Sequence, residues 1–228
     1  MTVPKCLVII PDGNRRWARK HCRREISGHT HGLLNCRLIT RAAFELGVPH
    51  VVLWAASELN LYRRQPYEIK HIFRLLKREL RSRLEKTEEI GFHLCGAWQR
   101  FTQDERLAQL VREIHEKSAH HTKQQLTVLF GYSGRAELVD AFVRLSASGD
   151  EITEETIRKN LWTSHLPDVD LVIRTGVQSD PHWSDSLLPW QIHNTQLHFC
   201  AKEWPAFGVE DLRVALDDYA GRPRREGT

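Results

Sequence analysis

The sequence predicts an α/β fold in which helices cover both faces of a mainly parallel sheet. Short apolar runs of strand length recur along the 228 residues, and segments with apolar side chains three and four positions apart separate them. No internal repeat or low-complexity segment interrupts this alternation. We therefore expect one domain over residues 1–228, a length that is ample for a single hydrophobic core.

The strands are predicted from short, mostly apolar runs, which are typical of strands buried on both faces of a sheet. Some of these runs are strongly apolar and others, such as the third, are weaker. In chain order, the predicted strands are Cys6–Ile10, His50–Ser57, Phe92–Ala97, Leu126–Phe130, Asp170–Gly176 and Leu197–Cys200.

The helices are predicted from apolar side chains at helical spacing. The strongest pattern has Ile69, Ile72, Phe73 and Leu76 on one face, with charged residues between them. One helix is expected to begin at a capping box, Thr102-Gln-Asp-Glu105, and to continue through Ile114. The other predicted helices are Gly32–Gly47, Pro66–Ile90, Arg135–Leu145 and Val209–Ala220.

The composition is that of an ordinary soluble protein, with 41% hydrophobic and 27% charged residues. A net charge of +4 suggests anionic partners without requiring nucleic acid. Five scattered cysteines without a CxxC pair disfavour a disulfide framework and a zinc site. No apolar run reaches the ~20 residues of a membrane span, and the N-terminus lacks a signal pattern. We therefore expect a cytoplasmic protein that neither inserts into membranes nor binds nucleic acid.

Polar side chains follow three of the predicted strands, where open parallel sheets bind their ligands. Asp12-Gly13-Asn14 follows the first strand, Ser57 and Asn60 the second, and Arg174-Thr-Gly176 a later one. A glycine-containing loop that leads into a helix presents N–H groups to anions, and arginines bind phosphate oxygens. Asp12 is a single carboxylate among cations. It therefore suits a magnesium ion that is bound both by this carboxylate and by the oxygens of a diphosphate.

Nucleoside triphosphates and dinucleotides are disfavoured as ligands. The sequence contains neither the GxxxxGK[ST] phosphate-binding motif nor the GxGxxG fingerprint. The residue pattern therefore favours a simpler diphosphate.

Several ordered blocks of the sequence resemble those of the cis-prenyltransferase family, from about Leu7 to Arg225. The blocks read IIPDGNRRWARK, SGHTHGLLNCRLITRAAFELGV, LWAASELNLYRR, FGYSGRAELVDAF, VDLVIRTG and LLPWQIHNTQLHFCAKEWPAF. The resemblance implies a six-stranded, mostly parallel sheet, a homodimer, and an apolar tunnel between sheet and helices. It also implies Mg2+-dependent prenyl transfer between two prenyl diphosphates.

The resemblance assigns roles to individual residues. It makes Asp12 the magnesium ligand, and it assigns catalytic roles to Asp12, Asn14, His29, Ser57 and Asn60. It implies substrate binding by Gly13, Arg15, Arg16, Arg63, Arg174, Gly176, His182, Ser184 and Gln196. Arg224 and Arg225 are expected to reach across the dimer.

The sequence departs from the family pattern at several positions of the site. Arg15 replaces the second glycine of the DGNGRW loop, Glu25 stands where an arginine is expected, and Leu59 replaces a glutamate. The second arginine of the acceptor site aligns with His182, and an acid that contacts the metal aligns with Gln196. The half that binds the allylic donor is largely kept, while the half that orients isopentenyl diphosphate is altered.

These departures favour an irregular enzyme that joins dimethylallyl or geranyl diphosphate to a second prenyl diphosphate, head to middle, giving a short lavandulyl-type product. Three alternatives stay open: a regular short-chain synthase that uses isopentenyl diphosphate, transfer to a non-isoprenoid acceptor, and a non-catalytic partner subunit. From the resemblance, we expect products of about ten to fifteen carbons in a concave apolar pocket. That pocket should be lined by Ile72, Phe73, Leu76 or Leu80.

Overall fold

The computed structural model describes residues 2–85, 89–179, 181–182 and 187–223. Its strands are β1 (Cys6–Ile10), β2 (His50–Ser57), β3 (Gly91–Cys95), β4 (Gln125–Tyr132), β5 (Leu171–Arg174) and β6 (Gln196–Phe199). They form one sheet in the order β3-β4-β2-β1-β5-β6, and all neighbouring strands are parallel. The predicted six-stranded parallel sheet is thus confirmed, with strand ends that differ by a few residues.

Helices flank this sheet, and on the face of Cys6 and Val8 residues of the segment 162–192 pack directly against the strands. The helices are α1 (Asn14–Lys20), α2 (Glu25–Glu45), α3 (Glu58–Arg63), α4 (Pro66–Leu84), α5 (Glu105–Ser118), α6 (Gly134–Ser148), α7 (Glu154–Asn160) and α8 (Val209–Gly221). The short helices α1, α3 and α7 were not predicted, because six or seven residues show too little periodicity. None of the helices in the described residues has the length and apolar content needed to cross a bilayer.

Alternate side chains of the central strands enter different cores, as the two-residue period of a strand requires. In β1, Leu7 and Ile9 pack with α2, α4 and α8, whereas Cys6 and Val8 face the opposite layer. All five residues of β1 are buried. The central strand is therefore fixed from both faces, and its carboxyl end is held in a rigid setting.

The start of α2 differs from the prediction, which placed the first residue of this helix at Gly32. The helix begins at Glu25, and Gly28 and Gly32 lie inside it. A Cβ atom at either glycine would overlap with Asn14, at its carbonyl oxygen or its side-chain oxygen. These glycines therefore allow α2 to pack closely against the start of α1.

Two other helix boundaries also differ from the prediction. The cap of α5 is Asp104, whose side chain accepts a hydrogen bond from the Leu107 N–H at 3.2 Å. Thr102 does not cap the helix, because its hydroxyl accepts from the Asp104 N–H instead. The helix α4 ends at Leu84, so Ile90 belongs to the approach to β3.

A histidine stack packs on the sheet away from its carboxyl edge. The rings of His93 and His165 stack with centroids 3.7 Å apart, and His165 Nε2 lies 2.8 Å from Thr127 Oγ1. Burial, followed by the charges of His93, His50 and His115, lowers the pKa of His165 to about 3. As the pH falls, His165 therefore binds a proton in the unfolded chain well before it does so in the folded chain.

This shift predicts a loss of stability in acid. The stabilising effect of neutral His165 is complete above the unfolded pKa of 6.5 and is lost as the pH falls toward about 3. We expect His165→Phe, which keeps a stacked ring but cannot titrate, to reduce the slope of unfolding free energy against pH by up to about 1.4 kcal/mol per unit in this range. Urea unfolding between pH 7.5 and pH 4 measures both slopes. Identical slopes would contradict the prediction.

Candidate active site

A polar cleft of about 660 Å³ lies at the carboxyl edge of the sheet, where β1, β2 and β5 end. This is the edge at which open parallel sheets bind ligands. Residues predicted for the site that line the cleft are Asp12, Gly13, Asn14, Arg15, Arg16, His29, Ser57, Asn60, Arg174 and His182. The fold therefore brings together most of the residues that the sequence singled out.

The loop after β1 is fixed through the main chain of Asp12. The Asp12 carbonyl accepts hydrogen bonds from Thr175 Oγ1 and from the Trp204 N–H, each at 2.9 Å. Gly13 has φ +99°, and a Cβ at this position would lie 2.7 Å from Cβ of Glu203. Only glycine fits this backbone without strain. The position of the Asp12 side chain thus follows from close backbone packing.

Three positively polarised groups surround the Asp12 carboxylate, whose side chain is 44% exposed. Oδ1 accepts from the Gly13 N–H at 2.6 Å and lies 3.4 Å from Arg16 Nη2. Oδ2 lies 3.3 Å from Arg174 Nη2. These arginines stand within reach of the space in front of the carboxylate, so a diphosphate there would meet two guanidinium groups.

The Arg174 side chain is buried and contacts His182 as well as Asp12. Its Nη1 donates to the His182 carbonyl at 2.7 Å, and its Nη2 lies 3.2 Å from His182 Nε2. Arg174 occupies the end of β5, and the next turn reaches φ +70° at Gly176. A Cβ on Gly176 would lie 2.7 Å from Arg16 Nη2 and 2.9 Å from the Asp12 carbonyl oxygen. Gly176 therefore lets the two arginine-bearing loops approach each other.

His29 belongs to a buried charged group that joins α2 to α4. Its Nε2 lies 2.8 Å from Oε1 of Glu68, and Nε of Arg64 lies 3.4 Å from the same oxygen. Burial is the main cause that lowers the pKa of His29; Arg64 and Arg15 add to it, while Glu68 opposes it. A neutral imidazole that donates from Nε2 to Glu68 presents Nδ1 as an acceptor.

Two further polar residues of the cleft, Ser57 and Asn14, differ in their hydrogen bonds. Ser57 caps α3, and its hydroxyl oxygen accepts from the Asn60 N–H at 3.1 Å, so the hydroxyl hydrogen can point elsewhere. Asn14 donates to the Pro11 carbonyl at 2.9 Å, but its buried Oδ1 has no hydrogen-bond partner among the described residues. This oxygen packs against Gly32 of α2, so Asn14 contributes to the close approach of α1 and α2.

The donor set fits magnesium that is bound together with a diphosphate. No cluster of three or more histidine, cysteine, aspartate or glutamate side chains in the described ranges could hold a metal alone. Asp12 supplies a single exposed carboxylate beside cations that suit phosphate. Magnesium commonly takes one or two carboxylates with phosphate oxygens and water.

Several predicted site residues lie elsewhere or outside the described residues. Arg63 is exposed and does not line the cleft, whereas Arg64 does. Gln196 starts β6 opposite Leu171, at the far edge of the sheet, and its Oε1 lies 3.4 Å from Arg222 Nη1. The predicted Ser184, Arg224 and Arg225 lie outside the described residues.

Three residues of the site and its supporting contacts were assigned no role from the sequence. Arg19 and Arg64 line the cleft, and Glu68 holds His29. Arg64 precedes α4 in extended backbone, so the helical i,i+4 rule gave no signal for its pairing with Glu68. Nothing in the local pattern identifies His29 as their partner, since it comes from another helix.

An apolar cavity of about 120 Å³ adjoins the cleft between α2, α4 and the sheet. Of the predicted lining residues, Ile72 and Leu76 line it, together with Leu75. Phe73 packs edge-on against Phe130, and Leu80 is fully buried in the core. An apolar cavity of roughly 150 Å³ accommodates benzene, so this space is on the scale of a short hydrocarbon chain.

Known proteins resemble this chain over its whole length. A model of the family described as putative undecaprenyl diphosphate synthase matches residues 10–227. An isoprenyl transferase of Chlamydia trachomatis serovar D is 36% identical over 239 residues, covering 99% of this chain and 92% of the relative. An isoprenyl transferase of Aquifex pyrophilus is 34% identical over 228 residues, covering 100% of this chain and 97% of the relative.

Solved structures with the same fold include a lavandulyl diphosphate synthase from Lavandula x intermedia in complex with dimethylallyl diphosphate. It has a TM-score of 0.89 and 29% identity, with 99% of each chain covered. A probable undecaprenyl diphosphate synthase from Campylobacter jejuni has a TM-score of 0.79 and 25% identity, with 100% of each chain covered.

The sheet order, the cleft and these matches define the class of the molecule as a prenyltransferase, an enzyme that condenses prenyl diphosphates. Within that class, the chain belongs to the undecaprenyl diphosphate synthase family of cis-prenyltransferases. The predicted enzyme class and family are therefore confirmed.

The close packing at Gly176 leads to a prediction with a matched control. Gly176 and Gly149 have φ +70° and +74°, but a Cβ at Gly149 would meet nothing within 4 Å. Both alanine variants should lose about 1–2 kcal/mol of stability from the left-handed backbone. Only Gly176→Ala should also lower prenyl transfer, by roughly tenfold or more, because it displaces Arg16 or the Asp12 loop. Thermal unfolding and turnover assays measure the two effects, and equal activity of both variants would refute this account.

Proposed function

We propose that this enzyme joins two short allylic diphosphates head to middle and releases a branched, lavandulyl-type prenyl diphosphate. The donor is dimethylallyl or geranyl diphosphate, and the acceptor is dimethylallyl diphosphate. The product contains about ten to fifteen carbons, an estimate in keeping with a pocket that must enclose most of its ligand.

The observation that carries this proposal is the contact between His182 and Arg174 at the end of β5. His182 stands where the family resemblance expects a second arginine, and its Nε2 lies 3.2 Å from Arg174 Nη2. An imidazole offers fewer donors than a guanidinium and lacks its rigid two-pronged geometry. An acceptor diphosphate is therefore held differently from one clamped by two arginines, which changes how its alkene faces the donor.

Two further observations support a short product. The apolar cavity of about 120 Å³ is small for a long polyprenyl chain. The solved structure of lavandulyl diphosphate synthase, which holds dimethylallyl diphosphate, has the higher TM-score of the two structures compared, 0.89 against 0.79.

The reaction requires one bond to break and one to form. The C1–O bond of the donor breaks, and its electron pair leaves with the diphosphate. The alkene of the acceptor supplies the electron pair for the new C–C bond, which in the head-to-middle case forms at its internal carbon. A proton then leaves the acceptor, and the released diphosphate is the base that accepts it.

The residues of the cleft perform separate parts of this reaction. Arg16 and the N–H groups of the loop after β1 bind the leaving diphosphate, where charge develops as the C1–O bond breaks. Arg174 binds the acceptor diphosphate. Ser57 and Asn60 orient the released diphosphate toward the proton, and Nδ1 of neutral His29, which Glu68 holds through Nε2, accepts a hydrogen bond from the diphosphate once the proton has been transferred.

We include magnesium in the proposal, with Asp12 as its protein ligand. When bound, the ion would neutralise leaving-group oxygens and so favour ionisation of the donor. We also include a homodimer: Val139, Phe142 and Val143 form an exposed apolar stripe on α6. Sedimentation velocity tests this association, and a monomer at working concentration would exclude it.

The alternatives differ in what Arg174 should do. A regular synthase and the head-to-middle enzyme both need Arg174 for an acceptor diphosphate, whereas a non-isoprenoid acceptor does not. A non-catalytic subunit is disfavoured because the DGN loop is retained and lies in the cleft beside Arg174.

We expect Asp12→Ala to lower turnover by at least about 100-fold, because charge stabilisation at the leaving group is lost. The fold should persist, since the Asp12 carbonyl rather than its carboxylate anchors the loop. Asp168→Ala removes an exposed carboxylate paired with Arg158 and serves as the control. Steady-state rates across a magnesium titration measure the effect. Near-normal rates with unchanged magnesium dependence would remove Asp12 from the metal site.

The acceptor is tested by offering dimethylallyl diphosphate to the wild-type enzyme with and without isopentenyl diphosphate, and identifying products by mass spectrometry and NMR. We expect a branched ten-carbon product from dimethylallyl diphosphate alone. We expect His182→Arg to shift use toward isopentenyl diphosphate, and Arg174→Ala to reduce kcat/KM at least about tenfold.

Three results would change the proposal. Linear products that require isopentenyl diphosphate would favour the regular synthase. Unchanged activity of Arg174→Ala would favour an acceptor without diphosphate. Absence of any transfer by the folded protein would favour a partner subunit.

A further inference from the structure

The helices α2 and α4 lie side by side and run in the same direction. Near their starts, His29 Nε2 lies 2.8 Å from Glu68 Oε1, and farther along both helices Arg37 Nε lies 2.6 Å from Glu79 Oε2. The buried side chains of both helices belong to one hydrophobic core, so their exposed sides face away from the sheet. The two helices therefore share a continuous outer face.

The part of this outer face that α4 contributes is a ridge of cations. Lys70, Arg74, Arg78 and Arg81 are exposed, and their spacing of three and four residues places them on one side of the helix. None of the described side chains forms an ion pair with these four residues, which we call the basic ridge. Their formal charge equals the +4 of the whole chain, so all other residues together are formally neutral.

His71, beside the basic ridge, responds to this concentration of positive charge. Its Nε2 lies 3.0 Å from Thr30 Oγ1 of α2. Burial is the main cause that lowers the pKa of His71; the charges of Arg74 and Arg78 add to it, while a hydrogen bond with the main chain of Ile26 opposes it. The outer face thus has a positive potential that attracts anions.

Exposed apolar side chains accompany these cations. Leu34 and Leu38 on α2 are 51% and 52% exposed, and Tyr67 in the first turn of α4 is 60% exposed. Arg41 on α2 pairs with Glu45 at 2.8 Å, so this pair leaves the charge of the face unchanged. Helices that bind at a lipid–water interface combine Lys and Arg with apolar side chains. The leucines therefore favour an anionic lipid surface over a soluble polyanion.

We propose that the outer face of α2 and α4 binds the surface of a bilayer that contains anionic phospholipids. The basic ridge contacts the lipid phosphates, while Leu34 and Leu38 enter the boundary between head groups and acyl chains. The helices lie on the bilayer, and no helix of the described residues crosses it. This inference concerns the place where the enzyme works, and it depends on neither the acceptor nor the branching of the product.

Surface binding brings the cleft beside the lipid. Tyr67 lies three residues after Arg64, which lines the cleft, so the outer face begins next to the cleft. Prenyl diphosphates combine an apolar chain with a charged group and therefore gather at a lipid–water interface, those with the longest chains most strongly. The bound enzyme meets its substrates along that interface.

Vesicle flotation of the wild-type protein is the first test. The probes are vesicles of phosphatidylcholine, with and without about 30% phosphatidylglycerol, at about 50 mM and about 500 mM NaCl. Each cation close to an anionic membrane strengthens binding about fivefold, so we expect at least about 30-fold stronger partition into the anionic vesicles at low salt. High salt should remove most of this difference. Equal partition into both kinds of vesicle, or none into either, would overturn the inference.

A pair of variants with the same net charge is the second test. Arg74→Gln/Arg78→Gln removes two cations of the basic ridge, and Arg112→Gln/Arg213→Gln removes two exposed cations on α5 and α8. We expect the first variant to lose at least about tenfold in partition into anionic vesicles, and the control less than about twofold. Prenyl transfer in solution should change less than about twofold in either variant, because neither pair lines the cleft. Equal losses of partition in both variants would overturn the inference.

A third variant distinguishes a bilayer from a soluble polyanion. Leu34→Gln/Leu38→Gln keeps every charge, so its retention on heparin should match that of the wild type. Its partition into anionic vesicles should fall at least about threefold, because less apolar surface enters the lipid. Unchanged partition of this variant would overturn the bilayer assignment, and so would wild-type binding to heparin without binding to anionic vesicles. The wild-type measurements need no substitution, so a variant that fails to fold leaves the first test in force.

Discussion

The site depends on how closely main-chain segments approach one another at the end of β1. The Asp12 carbonyl accepts hydrogen bonds from Thr175 and Trp204, and Gly13 and Gly176 lie where side chains would collide with neighbouring loops. Because β1 is buried in the middle of the sheet, these contacts have a rigid base. The Asp12 carboxylate thereby stands between Arg16 and Arg174 without needing a side-chain network to place it.

Sequence patterns predicted the sheet well because its strands are short apolar runs, for which burial leaves few alternatives. They were less informative about α2, since glycine usually marks a helix end but here serves packing against Asn14. The cap of α5 shows a similar limit: Thr102 and Asp104 are both good capping residues, and only the local hydrogen bonds distinguish them.

The sequence predicted the cleft residues near strand ends more reliably than other site residues. The position of the others depends on which way a helix turns or on how two strands pair. Asp12, Asn14 and Arg174 line the cleft because they lie at the ends of buried strands or in the turn that follows. The side chain of Arg63 is exposed to solvent, whereas that of neighbouring Arg64 lines the cleft. The sequence alone did not distinguish the two. Gln196 pairs with the first residue of β5, which places it far from the carboxyl edge. How β6 aligns with β5 depends on the packing of the whole sheet, so the local sequence does not reveal it.

The charged pairs between α2 and α4 also have a mechanical consequence. An apolar cavity tends to shrink because its walls gain contact when they close. His29–Glu68 and Arg37–Glu79 hold the two helices at separations set by the lengths of their side chains. The His29–Glu68 hydrogen bond and the Arg37–Glu79 ion pair thus act as spacers, and the cavity keeps its width through polar contacts at its ends.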